Sequence, residues 1–175
     1  MVLETREVKL GVLIAILAVA LQLSGAETVT VAPWEFHNSF WMSVHQTLMD
    51  DVMSKGPRHF DGASAEEQKT WNEAVEEYRK AAPGRGDITF SRVMSATNFA
   101  IARIADDAAE PPSDAPVVAS MRKAAPIYRK YAWPRDREVN RFFIAYASAM
   151  LREGAPVLIK QHETVYRTAW PAKVR

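Results

Sequence analysis

The sequence predicts an all-α bundle of about six helices behind an N-terminal signal segment. Three observations carry that reading. Beyond residue 37 the apolar residues recur at three- and four-residue steps, the period of one helix face. The periodic runs are separated by strong breakers, Gly56-Pro57, Pro83-Gly84-Arg85-Gly86 and Pro111-Pro112-Ser113-Asp114. Only TVTVA, Thr28 to Ala32, alternates like a strand, and Pro33 stops it.

Residues 1–26 read as a signal peptide. Arg6 and Lys9 precede an uncharged run, Leu10 to Leu23, that is short for a bilayer span and suited to the apolar part of an export signal. Ser24-Gly25-Ala26 supplies small residues for cleavage before Glu27. Glu4 and Glu7 cancel the basic charge ahead of the run, and the competing reading is an uncleaved anchor. Either way the rest of the chain is expected outside the cytoplasm, periplasmic or secreted. Cleavage leaves 149 of the 175 residues, one ordinary domain. Within it, residues 27–36 read as an extended lead-in and 37–175 as the helical bundle domain.

A formal net charge of +1 gives no electrostatic footprint for nucleic acid, and a membrane is expected only through an uncleaved signal segment. The chain has no cysteine. It therefore has no disulfides, thiolate metal sites or cysteine nucleophiles, and an exported domain built this way stands on its hydrophobic core.

In the first helix Phe40, Trp41, Val44, Leu48, Met49 and Val52 form the apolar stripe, with Asn38 or Ser39 as N-cap. Ser64-Ala65-Glu66-Glu67 is a capping box, and the helix it opens places Trp71, Ala74, Val75 and Tyr78 on one face. Asp87 caps a third helix, with Phe90, Val93, Met94, Thr97, Ile101, Ile104 and Ala108 as its stripe. A shorter helix runs from about Ala115 to Ala124, where Pro126 kinks it or starts a fresh turn. Asp136 opens a late helix with Val139, Phe142, Phe143, Tyr146 and Met150 inward and Gly154 at its end. A last helix carries Leu158, His162, Val165 and Ala169. Tyr128-Arg129 before Trp133-Pro134 and Tyr166-Arg167 before Trp170-Pro171 echo each other as helix stops.

Candidate chemistry centres on FHNSFWMSVHQTLMDD, residues 36–51. On one continuous helix His37 and His45 are separated by about 12 Å of rise, too far for two nitrogens on one zinc. They can share a metal only if the helix begins after His37 and the chain folds back. Otherwise His45 is a half-buried polar residue beside Trp41 and Leu48, and His37 marks the helix entry. His162-Glu163 starts like a zinc-peptidase His-Glu-x-x-His helix, but Tyr166 stands where the second histidine belongs. His59 reads as a solvated loop residue. Asp50-Asp51 and Asp106-Asp107 point about 100° apart within each pair and read as solvated faces, not acid/base pairs. Gly84-Arg85-Gly86 is too short to cradle a phosphate. Tyr128-Arg129 and Asn140-Arg141 suit an anionic ligand in a bundle cleft, although Arg beside aromatics more often packs on their rings.

The ordered set Phe36-His37-Asn38, Phe40-Trp41, His45, Trp71, Ala74-Val75, Tyr78, Pro126-Ile127-Tyr128-Arg129, Trp133-Pro134, Asn140 and Trp170-Pro171 resembles a group of uncharacterised exported bacterial proteins. Longer members of that group continue into a zinc-peptidase-like His-Glu-x-x-His segment. The resemblance implies that this chain is the helical N-terminal part without the metal-holding segment, and that its partner is a protein or the missing C-terminal domain.

Two functions follow. The first is an exported, non-catalytic helical module that binds or packs, with His37, Asn38, Trp41, His45, Tyr128, Arg129 and Asn140 as candidate ligand-binding residues, no catalytic residues and no cofactor. The alternative is an N-terminal fragment of a metal-dependent hydrolase completed elsewhere, the only reading in which zinc enters.

Overall fold

In a computed structural model the described residues are 27–54, 56–82, 96, 98–101, 111 and 116–171. The expected signal peptide, the Pro83–Gly86 break, the Asp87 cap, most of the third helix with Asp106-Asp107, and Pro112–Asp114 lie outside them. The chain divides into two compact units, one from Ser39 to Arg137 and one made of the segments ending at Asn38 and beginning at Glu138.

The Ser39–Arg137 unit is built on helices α1 (Phe40–Met53), α2 (Ala65–Ala81) and α3 (Pro116–Tyr131), each packed on the other two. Ser39 caps α1 by accepting from the Met42 amide at 3.2 Å. The Ser64–Glu67 capping box opens α2 as its spacing predicts, and Trp71, Ala74, Val75 and Tyr78 are its buried face. Glu67 does more than cap. It accepts from the Lys130 ammonium and the Tyr131 hydroxyl, both at 2.8 Å, tying the start of α2 to the end of α3. These donors pull its carboxyl down to about 2, the Lys130 contact most of all.

Pro126 does not end α3, which runs unbroken to Tyr131. An interior proline costs about 3 kcal/mol. Burying Ile127 and Tyr128, the next two residues, offsets this, at roughly 1.5–3 kcal/mol per large apolar side chain. Ile101, in a helical stretch at 98–101, joins the same core.

The chain breaks for one residue at Ala132 and resumes as α4 (Trp133–Tyr166). Trp133-Pro134 is thus the start of a helix as well as the stop of one, with Pro134 in the first turn where its missing N–H is harmless. Trp133 packs edge-on to Phe40 at 5.4 Å. The two late helices expected from the sequence are one. Gly154 and Pro156 lie inside α4, so neither acts as its terminus. Four complete helices and the stretch at 98–101 are present among the described residues, five where about six were expected.

In the second unit the expected lead-in is a hairpin. Strands β1 (Thr28–Val31) and β2 (Trp34–His37) pair antiparallel, Thr28 opposite His37 and Val31 opposite Trp34, around a cis Ala32–Pro33 peptide. Pro33 stops the strand by turning it back. Val29 and Val31 on one face pack with Ile144, Phe36 and Leu151, while Thr28, Thr30, Glu35 and His37 share the other face. At the end of α4, Arg167 at φ 52° turns the chain so that Trp170 meets Trp34 at 5.5 Å and His162 at 4.6 Å.

The inward face of α4 is not the expected one. Val139, Phe142, Phe143, Tyr146 and Met150 are exposed, and Ile144, Ala145, Ser148 and Ala155 are buried instead. Residues 142–159 carry apolar side chains on both faces, so periodicity alone cannot say which one turns in.

Candidate functional site

The seven candidate ligand-binding residues divide between the two units. His37, Asn38 and Asn140 belong to the hairpin unit, and Trp41, His45, Tyr128 and Arg129 to the three-helix unit. The helix does begin after His37, as a shared metal site requires. Both rings, however, are already engaged. His37 lies on β2, where Nε2 is 2.5 Å from Glu35 Oε1 and Nδ1 is 3.2 Å from the Oγ1 of its cross-strand partner Thr28. Asn38 is buried, and its backbone N–H donates to the Glu27 carbonyl at 2.8 Å.

His45 is buried more deeply than a half-exposed polar residue. Its Nδ1 is 3.1 Å from the Tyr78 hydroxyl, and Asn98 supplies a second side-chain hydrogen bond. Burial lowers the imidazole pKa, with the Asn98 bond opposing, and burial raises that of the Tyr78 phenol. Both groups stay neutral near pH 7. The Tyr78 hydroxyl and Nδ1 thus share a hydrogen bond between two neutral groups.

Trp41, Tyr128 and Arg129 do converge, on a ring and not on a cleft. Phe40 lies 5.2 Å from Trp41 and 5.8 Å from Tyr128, and the Arg129 guanidinium sits 3.8 Å over its centroid. Arg129 therefore closes an aromatic core as a cation on a π face. Tyr128 donates to Asp136 Oδ2 at 2.9 Å. Its pKa is raised, first by burial and then by that carboxylate.

One polar site was missed. Asp51 is 3 % exposed and not a solvated carboxylate. Its Oδ2 accepts from the Arg58 amide at 2.8 Å and the Trp71 indole N–H at 2.9 Å, and its Oδ1 from Arg58 Nε at 2.8 Å. The signal was available: Asp51 is seven residues from Val44 and three from Leu48, on the apolar stripe, whereas Asp50 is not. The site is saturated and holds the α1–α2 connection. His59, as expected, is exposed.

Among the described residues no group of three or more His, Asp or Glu side chains is placed to hold a metal. One hollow lies between α2 and α3, bordered by Glu66, Glu67, Thr70, Lys123 and Lys130, and another runs along α4 from Pro156 to Val165. Neither is lined by any of the seven candidates. The salient surface is the outer face of α4. Phe142 is 60 % and Phe143 63 % exposed, and Val139, Tyr146, Met150, Val157 and Leu158 are exposed beside them. By length and composition α4 is apolar enough to cross a membrane.

Comparison with protein-family models, curated proteins and solved structures finds no match to this chain.

Proposed function

We propose that this chain is an exported, non-catalytic helical module that works by docking the outer face of α4 against another surface. The observation that carries the reading is the exposed stripe from Val139 to Leu158. Soluble monomers rarely leave contiguous apolar patches beyond about 300–600 Å². With roughly 150–250 Å² on an aromatic side chain and these side chains about half exposed, the stripe presents on the order of 700 Å². A bilayer-spanning role for α4 is disfavoured by the hairpin on its inner side, whose polar residues Thr28, Thr30, Glu35 and His37 would enter hydrocarbon with it. The non-catalytic part rests on the candidate residues being committed to one another: His37 to Glu35 and Thr28, His45 to Tyr78 and Asn98, Arg129 to Phe40. Export rests on the apolar run at residues 10–23.

The absence of native cysteine allows a direct test with single-cysteine variants of the full chain in intact cells. Phe143→Cys and Met150→Cys are expected to resist a water-soluble maleimide while Arg152→Cys, on an exposed part of α4 away from the stripe, is labelled. Equal labelling of all three would refute the docking reading. Stoichiometric zinc that disappears on His37→Ala or His45→Ala would refute the non-catalytic one.

A further inference from the structure

Resting on that reading, we infer that the occupant of the α4 face is a second copy of this chain, laid antiparallel and centred at Ala149. The stripe is suited to it in shape. At 3.6 residues per turn, Val139, Phe142, Phe143, Tyr146, Met150 and Val157 fall within an arc of about 100°, the width of a helix-packing face. The arc is not uniform along its length. Bulky Phe142 and Phe143 occupy one end, and Gly154 lies about 20° beyond the edge of the arc towards the other, where a Cβ would meet nothing within 4 Å. Antiparallel pairing about Ala149 sets the two phenylalanines of each copy over Gly154 and Val157 of the other, knob against hollow. Ala147 and Ala149 flank the midpoint and let the helices approach closely.

The charges agree with the same register. Glu138 and Lys160 are both exposed and lie on the same flank of the arc, one beyond each end of the stripe. In an antiparallel pair, residues of one flank meet residues of the same flank. The register that brings Glu138 beside Lys160 of the other copy, at both ends, is the one centred at Ala149, which is also the midpoint of the apolar stripe. A parallel pair would leave Glu138 of one copy and Lys160 of the other about 33 Å apart along the axis, at opposite ends of the stripe. A bilayer is the poorer occupant, since Glu153 lies within the arc and Glu138 on its flank, where a membrane-surface helix carries apolar side chains. The area is sufficient: covering the stripe on both copies removes about 1,400 Å², within the roughly 1,200–2,000 Å² of stable specific interfaces.

Disulfide trapping in the full chain, in intact cells under a mild thiol oxidant, tests both the occupant and the register. Met150→Cys lies beside the two-fold axis and is expected to give a linked dimer. Phe142→Cys is about 21 Å along the axis from its own copy, at ~1.5 Å per residue, and is expected not to link to itself. Chains carrying Phe142→Cys and Val157→Cys, expressed together, are expected to link to each other. Glu138→Lys is expected to lower the Met150→Cys yield by roughly threefold to tenfold, and Lys160→Glu in the same chain to restore it. Self-linking at both 142 and 150 would overturn the antiparallel register. No linking anywhere, with positions 143 and 150 still protected from maleimide, would overturn the second copy and leave a lipid surface or a different protein as occupant of the docking face. No linking and full labelling would overturn the docking reading as well.

Discussion

Replacing Asp51 by asparagine removes a buried negative charge while keeping the side chain's size. The carboxylate accepts three hydrogen bonds, two from Arg58 and one from the Trp71 indole, and sits 3 % exposed. Hydrogen bonds to charged groups contribute about 1.5–3 kcal/mol each, and a buried donor left unsatisfied costs about 1–3 kcal/mol. Arg58 is partly exposed and can regain water, so little of its loss persists. The Trp71 N–H cannot, because Trp71 is fully buried, so the asparagine carbonyl is held at the Oδ2 position and accepts from it as a neutral group in place of a charged one. An asparagine also presents an NH₂ where the site offers only donors. The expected loss is therefore about 3–4 kcal/mol, a large share of the 5–15 kcal/mol that stabilises an ordinary domain. Urea unfolding followed by tryptophan fluorescence measures it on the full chain, with circular dichroism checking that the variant folds. Arg58→Ala leaves the carboxylate buried with one of its charged partners gone, and belongs in the same cycle with the double variant. A loss under about 1 kcal/mol for Asp51→Asn would refute the reasoning, since the carboxylate would then be solvated in the protein as it exists.

Acid sensitivity should trace to His45. Its pKa is lowered in the fold, so below about pH 6.5 the unfolded chain takes up a proton that the folded chain refuses, and stability falls as pH falls. Denaturation midpoints at pH 7.5 and 5.5 are expected to differ more for the wild type than for His45→Gln; equal differences would place the sensitivity elsewhere. Ser64→Ala removes half of the capping box and should cost about 1 kcal/mol, which a double variant with Glu67→Ala should not simply double. Ile144→Ala should cost about 2 kcal/mol or more, read by the same urea titration, and a cost under about 0.5 kcal/mol would mean that the inner face of α4 is not packed.

Much of the three-helix unit could be read from the chain. The capping box at Ser64, the four-residue buried face of α2 and the Ser39 cap are local features, set by residues within one or two turns of each other. The aromatic role of Arg129 was legible as the commoner fate of an arginine beside rings. The hairpin was half legible, because TVTV alternates and Pro33 interrupts it, and WEFH alternates as well, but four residues are too few to separate a strand from a helix entry. Pairing with β1 decides for the strand. Asp51 differs from Asp50 in lying on the apolar stripe, and its partner Trp71 is twenty residues away in the chain.

From its sequence alone this protein is helical, cysteine-free, nearly neutral and without a strong catalytic motif, and those properties follow from composition and from patterns a few residues long. Tertiary structure decided that Pro126 and Pro156 are carried inside helices, that His45 is paired with Tyr78, and that Ile144 faces the core while Phe142 and Phe143 face outward. The physical reason is common to all three. A proline's cost, a buried polar group's partner and the choice between two apolar faces are settled by burial against segments distant in the chain, and no short window contains both sides of that contact.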